Sequence, residues 1–201
     1  MKLTKFDLLL NSQINSYNKV IEVDPDKSLS IRSFLIGSIS HNISIAKNIL
    51  ESEDVKSTII ACRKLGVKIQ RVKPKHYKIY GKGLGGLFAQ KNMHLNFGNS
   101  GTLARLLIGI LATTPNIEIK VLGDHSLNKR SMKKLISLMS DFGASFLPKT
   151  RFNFPLKLIS SQMPVGVNYN AGVSAQLKSA VLLAGLNSYG TTVINETQKS
   201  R

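Results

Sequence analysis

The sequence is poor in tryptophan, cysteine, aromatic residues and acids. It has no tryptophan, one cysteine at position 62, and an aromatic content of 6%. A single cysteine excludes an internal disulfide and a cysteine-based metal cluster, and the four histidines show no spacing typical of metal ligands. Cys62 falls in an apolar helical pattern, which favours a small core residue. We therefore expect no metal site and a reducing, cytoplasmic location.

Long hydrophobic segments are missing as well. No apolar run approaches the roughly 18–20 residues that a membrane-spanning helix requires, so we expect no membrane partner. With 201 residues, 42% of them hydrophobic, the chain can fill the core of one domain of ordinary size or slightly more.

The charge balance is strongly basic, with 28 lysines and arginines against 11 acids and a net charge of +17. Such a charge permits a nucleic acid as partner, or a small polyanion such as a phosphorylated acid. A lysine-rich solvated surface with no specific partner has the same composition. The lysines are scattered, and few aromatic residues are present to stack on bases. The charge alone does not decide among these interpretations.

The central feature of the sequence is a polar, glycine-containing loop that leads directly into an apolar helix. The loop is Gly98-Asn99-Ser100-Gly101-Thr102, and Arg105 lies one turn inside the predicted helix. Small residues expose backbone N–H groups at a helix start, where the positive end of the dipole favours an anion. Arginine adds a planar, permanently charged donor. The junction is a candidate anion site, although isolated junctions of this kind are most often structural.

The same pattern occurs twice more along the chain. Polar helix starts containing Arg32 and Lys178 precede apolar patterns, and these cations lie 73 residues before and after Arg105. A strand-like run follows each predicted helix, at 44–46, 117–121 and 191–194. Self-similarity at a fixed interval is typical of a repeated supersecondary unit. We therefore predict an α/β fold in which a βαβ-containing module is used three times, with three equivalent helix starts, each carrying a cation, that face one pocket.

Further patterns extend the first unit. A strand is predicted at 20–23, and an acid-rich start at 51–54 begins a helix that ends at Gly66. Two hairpin strands follow at 67–69 and 76–80. The glycine-rich segment after them lacks a following helix, which favours a turn over a nucleotide-binding loop.

The second unit contains a corresponding second helix. One continuous helix is predicted from Asp124 through Met139 to a stop at Gly143, and Arg130 near its start is expected to face the same cleft as Arg105. The same interval places the second helix of the third unit near Glu196. The sequence is therefore expected to stop inside a repeat and to be partial.

Four segments occur in an order that resembles a known family. They are Asp26-Lys27-Ser28-x-Ser30-x-Arg32, Leu50-Glu51-Ser52-Glu53-Asp54, Gly98-Asn99-Ser100-Gly101-Thr102 with Arg105, and Ser174-Ala175-Gln176-x-Lys178-Ser179-Ala180-Val181-Leu182-Leu183-Ala184-Gly185-Leu186. They resemble the 5-enolpyruvylshikimate-3-phosphate synthase family, most closely its class II branch, over residues 20–201. The resemblance implies two similar domains, each of three βαβαββ units, in an inverse α/β barrel. Residues 1–24 would belong to the lower domain and 25–201 to most of the upper one, with the second half of the enzyme absent.

The resemblance also implies an activity. The family transfers the enolpyruvyl group of phosphoenolpyruvate to the 5-hydroxyl of shikimate 3-phosphate, in the shikimate pathway of aromatic amino acid biosynthesis. The reaction passes through a tetrahedral intermediate and needs no metal and no organic cofactor. The partners would be these two small anions and no nucleic acid, and the full-length enzyme would be a monomer. Because the acid and base come from the second domain, this chain would contain no catalytic residue and be inactive alone.

The resemblance assigns site residues by position. The ligands of shikimate 3-phosphate would be Lys27, Ser28, Arg32, Ser174, Ala175 (through its backbone) and Gln176. The ligands of phosphoenolpyruvate would be Lys27, Gly101, Arg130 and Gln176. Arg105, Lys178 and Arg201 would shape the site.

Four positions depart from the family pattern. Pro25 replaces a common glycine, Ile31 a histidine, Ser100 an alanine, and Ser131 a proline that usually follows the arginine corresponding to Arg130. None of them removes an essential charge, but Ser131 bears on how Arg130 is aimed.

Three other interpretations remain open at this point. A sister transferase that acts on UDP-N-acetylglucosamine shares the fold and reaction type, but it has Lys-Asn where this chain has Lys27-Ser28. A basic nucleic-acid-binding module accounts only for the charge. A non-functional fragment is the third interpretation.

Overall fold

The computed structural model of the protein describes residues 23–196, and helices and strands alternate along that span. The helices are α1 (Lys27–Ile39), α2 (Glu53–Lys64), α3 (Gly101–Thr113), α4 (His125–Lys129), α5 (Lys133–Asp141) and α6 (Ala175–Gly185). The strands are β1 (Ile43–Ala46), β2 (Lys68–Lys73), β3 (His76–Tyr80), β4 (His94–Asn96), β5 (Glu118–Leu122), β6 (Ser145–Leu147), β7 (Leu156–Ile159), β8 (Asn168–Ala171) and β9 (Val193–Glu196).

The helices α1, α3 and α6 begin, as α4 does, after a residue whose side chain accepts a hydrogen bond from the first turn. Asp26 caps α1, Ser100 caps α3 and Ser174 caps α6, with distances to the accepted backbone nitrogen of 2.6, 3.2 and 3.4 Å. Such a cap satisfies one of the donors that a helix start leaves unpaired. The three caps lie 74 residues apart. The repeated unit predicted from the sequence is therefore confirmed.

The caps recur every 74 residues, one residue more than the interval between the three cations. Arg32 lies six residues after its cap, Arg105 five and Lys178 four. Because successive residues turn by roughly 100° around a helix, these side chains leave their helices in different directions. The predicted equivalence of the three helix starts is confirmed, but their cations do not occupy equivalent positions on the helices.

The second unit shows the complete βαβαββ order, from β4 to β7. Its sheet has the strand order β4-β5-β7-β6, with β4 parallel to β5 and the other pairs antiparallel. The first sheet is antiparallel with the order β1-β3-β2, and β8 and β9 form a parallel pair that α6 connects. A helical crossover between parallel strands is the βαβ arrangement. The predicted α/β fold is confirmed, whereas the strand predicted at 20–23 falls outside the described residues except for Val23, which belongs to no regular element.

The predicted second helix of the second unit is interrupted. The sequence predicted one continuous helix over the span of α4 and α5, but Arg130 between them has an extended backbone, with φ −77° and ψ 132°. The backbone N–H of the buried Met132 donates to the carbonyl oxygen of Phe152 at 2.6 Å. This tertiary hydrogen bond replaces a helical one, and a periodic pattern in the sequence does not reveal it.

Helix α3 lies in the core between α1 and α6. All of its residues are buried except Arg105. A helix that is apolar on all sides is typical of such a position. At its centre a β-carbon on Gly109 would lie only 2.5 Å from the carbonyl oxygen of Ala180, so the backbones of α3 and α6 approach closely. This contact fixes the position of the start of α6 relative to the start of α3.

Cys62 is confirmed as a core residue, with 1% of its surface exposed, and burial raises the pKa of its thiol to about 11. Between residues 23 and 196, no group of three histidine, cysteine or acidic side chains is placed to hold a metal ion. No helix in the same span is long and apolar enough to cross a bilayer.

Candidate anion-binding site

The starts of α1, α3 and α6 are joined by side-chain hydrogen bonds. Arg32 of α1 donates from Nη2 to the hydroxyl of Ser179 on α6 at 3.3 Å. Arg105 of α3 donates from Nη1 to Oε1 of Gln176 on α6 at 2.8 Å. Gln176 in turn donates from Nε2 to the hydroxyl of Thr102 on α3 at 3.1 Å. The three helix starts that the repeat produces therefore meet at one place, which we call the helix-start cluster.

Two guanidinium groups converge over the start of α3. A β-carbon on Gly101 would lie 2.7 Å from Nη1 of Arg105 and 3.3 Å from Nη1 of Arg130. Arg130 reaches this position from the break between α4 and α5, and its Nη2 donates to Oδ1 of Asn99 at 2.6 Å. Because Gly101 has no side chain, both cations can lie against the backbone at the positive end of α3.

The positive charges of the arginines in the helix-start cluster and of the neighbouring Arg130 are not neutralised within the described part of the chain. Across residues 23–196, Arg32, Arg105 and Arg130 have no carboxylate at ion-pair distance. Their hydrogen-bond acceptors are hydroxyl, carboxamide and backbone carbonyl oxygens, which are neutral. Burial, and secondarily the charge of Arg130, lower the pKa of Arg105. Like charges held together at a helix start favour an anionic ligand that neutralises them.

A cavity of about 480 Å³ adjoins the cluster. Arg105, Ser174 and Gln176 line one side of it, and the start of α5 with Lys133 and Lys134 lines the other. Its volume falls within the range of small-molecule sites. The cavity is therefore lined by cations and is large enough to hold a small acid.

Lys27 lies at the start of α1 and forms an ion pair with Asp54 near the start of α2. The distance between its Nζ and Oδ2 of Asp54 is 3.0 Å, and half of the lysine side chain remains exposed. Ser28 follows in the first turn, where its backbone carbonyl accepts from Nη1 of Arg32 at 3.3 Å. Lys27 is thus oriented by Asp54, a residue of the second of the four sequence segments.

Lys178 differs from the two arginines of the capped helices. It forms an ion pair with Glu196 at the end of β9, and only 13% of its side chain is exposed. This ion pair neutralises the charge of Lys178. Lys178 therefore differs from Arg32 and Arg105 in charge as well as in position. Arg201, the third residue predicted to shape the site, falls outside the described residues.

Four residues that sequence reasoning assigned no role orient the predicted site residues. Asp54 pairs with Lys27, Asn99 with Arg130, Thr102 with Gln176, and Ser179 with Arg32. All four lie in the sequence segments that carry the family resemblance. Their presence in those segments was the available signal, but only the tertiary fold shows which partner each one holds.

The fold and the site define an enolpyruvyl-transferase type of α/β protein, with βαβαββ repeats whose helix starts form a cationic site. Within that type, the chain belongs to the EPSP synthase (3-phosphoshikimate 1-carboxyvinyltransferase) family, whose sequence model matches residues 12–201.

Individual relatives agree with this assignment. The chain is 37% identical over 193 residues to the 3-phosphoshikimate 1-carboxyvinyltransferase of Syntrophomonas wolfei, covering 96% of this chain and 44% of the relative. It is 42% identical over 182 residues to that of Novosphingobium aromaticivorans, covering 90% of this chain and 41% of the relative. Among solved structures, EPSP synthase from Acinetobacter baumannii superposes with a TM-score of 0.83 at 35% identity, covering 90% of this chain and 41% of that one. The chain thus spans less than half the length of these relatives.

Proposed function

We propose that this chain provides one half of the substrate site of an enzyme that transfers the enolpyruvyl group of phosphoenolpyruvate to shikimate 3-phosphate. One observation carries the proposal: Arg105 and Arg130 converge over Gly101 with no carboxylate partner in the described span. Family membership supplies the identity of the anions. Both substrates carry a phosphate and a carboxylate, and charge-assisted hydrogen bonds from arginines suit such groups.

The reaction explains why a site of this kind is needed. The 5-hydroxyl oxygen adds to C2 of phosphoenolpyruvate while C3 gains a proton, and the hydroxyl proton is lost. Elimination of phosphate and loss of a proton from C3 then restore the double bond. Two polyanions must come into contact, so cations and helix dipoles that offset their repulsion lower the barrier.

The proposed roles follow the geometry of the helix-start cluster. For shikimate 3-phosphate we propose the ligands Lys27, Ser28, Arg32, Ser174, the backbone of Ala175, and Gln176. For phosphoenolpyruvate we propose Lys27, Gly101, Arg130 and Gln176. The hydrogen bonds of Arg32 to α6, and of Gln176 to α3, support a site that α1, α3 and α6 share.

The broader setting is part of the same proposal. Residues 25–201 would form most of one domain and residues 1–24 would join a second one, and the acid and base would come from the rest of the enzyme. We propose a cytoplasmic, monomeric enzyme of aromatic amino acid biosynthesis that uses no cofactor. The buried, unpaired Cys62 is in keeping with a reducing compartment.

Isothermal titration of the 201-residue protein with each substrate tests the proposal. We expect saturable binding of shikimate 3-phosphate, tighter binding of phosphoenolpyruvate once shikimate 3-phosphate is present, and no release of phosphate. If neither substrate bound while duplex DNA bound with strong salt dependence, the nucleic-acid interpretation would replace this one. Release of phosphate at an ordinary enzymatic rate would contradict the assignment of the acid and base to the rest of the enzyme.

A further inference from the structure

The carboxamide of Gln176 lies between two side chains of α3, Arg105 and Thr102. Its oxygen accepts from Arg105 at 2.8 Å, and its nitrogen donates to Thr102 at 3.1 Å. The two ends of a carboxamide have the same shape and opposite hydrogen-bonding character. Which end faces which neighbour is therefore decided by the partners.

Of these two partners only Arg105 can decide the orientation. The hydroxyl of Thr102 can donate or accept, so it tolerates either end of the carboxamide. A guanidinium group can only donate hydrogen bonds. It therefore binds the oxygen end of the carboxamide and repels the N–H₂ end. With the oxygen held by Arg105 and one N–H given to Thr102, the second N–H of Gln176 has no acceptor among residues 23–196.

Arg105 is itself held rigidly enough for this task. The same Nη1 donates to the carbonyl oxygen of Gly101 at 3.2 Å, one turn earlier in α3. Its side chain is partly buried on a helix whose other residues are all buried. The close approach of Gly109 to Ala180 keeps α3 and α6 at a fixed separation, so Arg105 and Gln176 face each other across a rigid contact.

We propose that Arg105 is a positioning residue that acts through Gln176. It holds the carboxamide oxygen of Gln176 toward its own guanidinium group, and this orientation leaves the second N–H of the carboxamide for a bound anion. The proposal rests on the proposed function, in which Gln176 contacts both anionic substrates. It gives Arg105 a role that differs from that of Arg130. Arg130 contributes charge to the ligand, whereas Arg105 contributes the orientation of a neutral donor.

The orientation can be measured without any ligand, by nuclear magnetic resonance of the ¹⁵N-labelled protein. The N–H₂ pair of Gln176 is assigned as the pair that disappears in Gln176→Ala. We expect nuclear Overhauser contacts from this pair to the methyl group of Thr102, weaker contacts in Arg105→Met, where both orientations become possible, and full contacts in Arg105→Lys, which again donates only. In Thr102→Val the pair should keep its orientation and show contacts to the valine methyl groups.

A double-mutant cycle with phosphoenolpyruvate, in the presence of shikimate 3-phosphate, separates positioning from direct charge. We expect Gln176→Ala to weaken binding about tenfold, since it removes a hydrogen bond to a charged group. Adding Arg105→Met to that variant should change affinity by less than about twofold, because a residue that acts through another loses its effect when the other is gone. If the two losses multiplied, Arg105 would act on the anion directly and the proposal would be overturned.

The outcomes separate this proposal from the proposed function. Absence of binding to the unmodified protein would refute the proposed function, while the ligand-free spectra would still decide whether Arg105 orients Gln176. Unchanged amide contacts in a folded Arg105→Met protein would refute the positioning role, whatever the affinities. If Arg105→Met did not fold, Thr102→Val and Arg105→Lys would decide, because loss of orientation in both would overturn the proposal.

Discussion

Gly109 of α3 lies directly against the backbone of Ala180 on α6. A β-carbon at Gly109 would be 2.5 Å from the carbonyl oxygen of Ala180 and 3.0 Å from its Cα. No side chain separates the two helices at this point. The contact joins the core to the site, because the same pair of helices places Arg105 beside Gln176 at 2.8 Å.

Gly109→Ala is therefore expected to destabilise the fold. The added methyl meets backbone atoms that no side-chain rotation can move, and such overpacking costs about 1–3 kcal/mol. Urea unfolding should show this loss in the free energy of unfolding. Gly172→Ala is the matched control, because a β-carbon there meets nothing within 4 Å. Equal stability of the two variants would show that α3 and α6 are not in contact at Gly109.

Gly101→Ala is expected to affect binding and not stability. Its methyl would meet Nη1 of Arg105 at 2.7 Å and Nη1 of Arg130 at 3.3 Å, and these are the ends of flexible side chains that can move away. We expect the free energy of unfolding to stay within about 0.5 kcal/mol of the original. The affinity for phosphoenolpyruvate should fall about tenfold or more, because the charge of Arg130 is displaced and Arg105 is moved away from the Gln176 carboxamide that it orients. Calorimetry that gave an unchanged affinity would exclude Gly101 from the anion site, and Gly172→Ala again serves as control.

Arg32→Ala is expected to weaken the binding of shikimate 3-phosphate about tenfold or more, since it removes a charge-assisted donor. Arg63→Ala is the control, because it removes the same charge at a distance from the site. Arg63 lies in the last turn of α2, roughly 14 Å along the helix from Asp54, the partner of Lys27. Titration calorimetry of both variants separates a local contact from the general field of the basic chain. Comparable losses in the two variants would attribute binding to net charge alone.

Much of this site could be predicted from the sequence, because helix starts are local features. A cap, small residues and a following apolar run all lie within a few positions of one another. The residue pattern alone therefore placed Ser100, Gly101 and Arg105 at a helix start, where the fold has them. The order of the four segments then indicated which starts belong together, and side-chain hydrogen bonds join the starts of α1, α3 and α6 in the fold.

The failures have a common cause, which is pairing between distant parts of the chain. The hydrogen bond from Met132 to Phe152 ends a helix that the apolar pattern continued. The ion pair of Lys178 with Glu196 neutralises a cation that looked equivalent to Arg105. Neither partner has a spacing or composition that marks it in advance. A separate error came from measuring the repeat between the cations, which are 73 residues apart, when the helix caps are 74 residues apart.

Cys62 is expected to be inert in the folded protein. Only 1% of its surface is exposed, and burial raises the pKa of its thiol to about 11, so little reactive thiolate exists at pH 8. Reaction with an aromatic disulfide reagent should therefore proceed at the rate of unfolding and should accelerate in urea. Ser145→Cys, placed in a Cys62→Ala background, supplies an exposed thiol for comparison. Rapid labelling of Cys62 in native conditions would contradict its position in the core.

Glu51 is expected to make stability depend on pH in the acid range. Hydrogen bonds from Tyr77 at 2.6 Å and from Arg71 at 2.9 and 2.8 Å lower the pKa of its carboxyl from 4.5 to about 2. Because the folded-state pKa is lowered, this stabilisation is fully present above about pH 5 and disappears as pH falls toward 2. Urea unfolding should therefore show Glu51→Gln less stable than the original protein at pH 7, with a difference that shrinks below pH 4. Glu53→Gln, at a carboxylate whose side chain is 86% exposed, should cost much less at pH 7. A difference between Glu51→Gln and the original protein that stayed constant from pH 7 to pH 3 would mean that the carboxylate of Glu51 is not held by Tyr77 and Arg71.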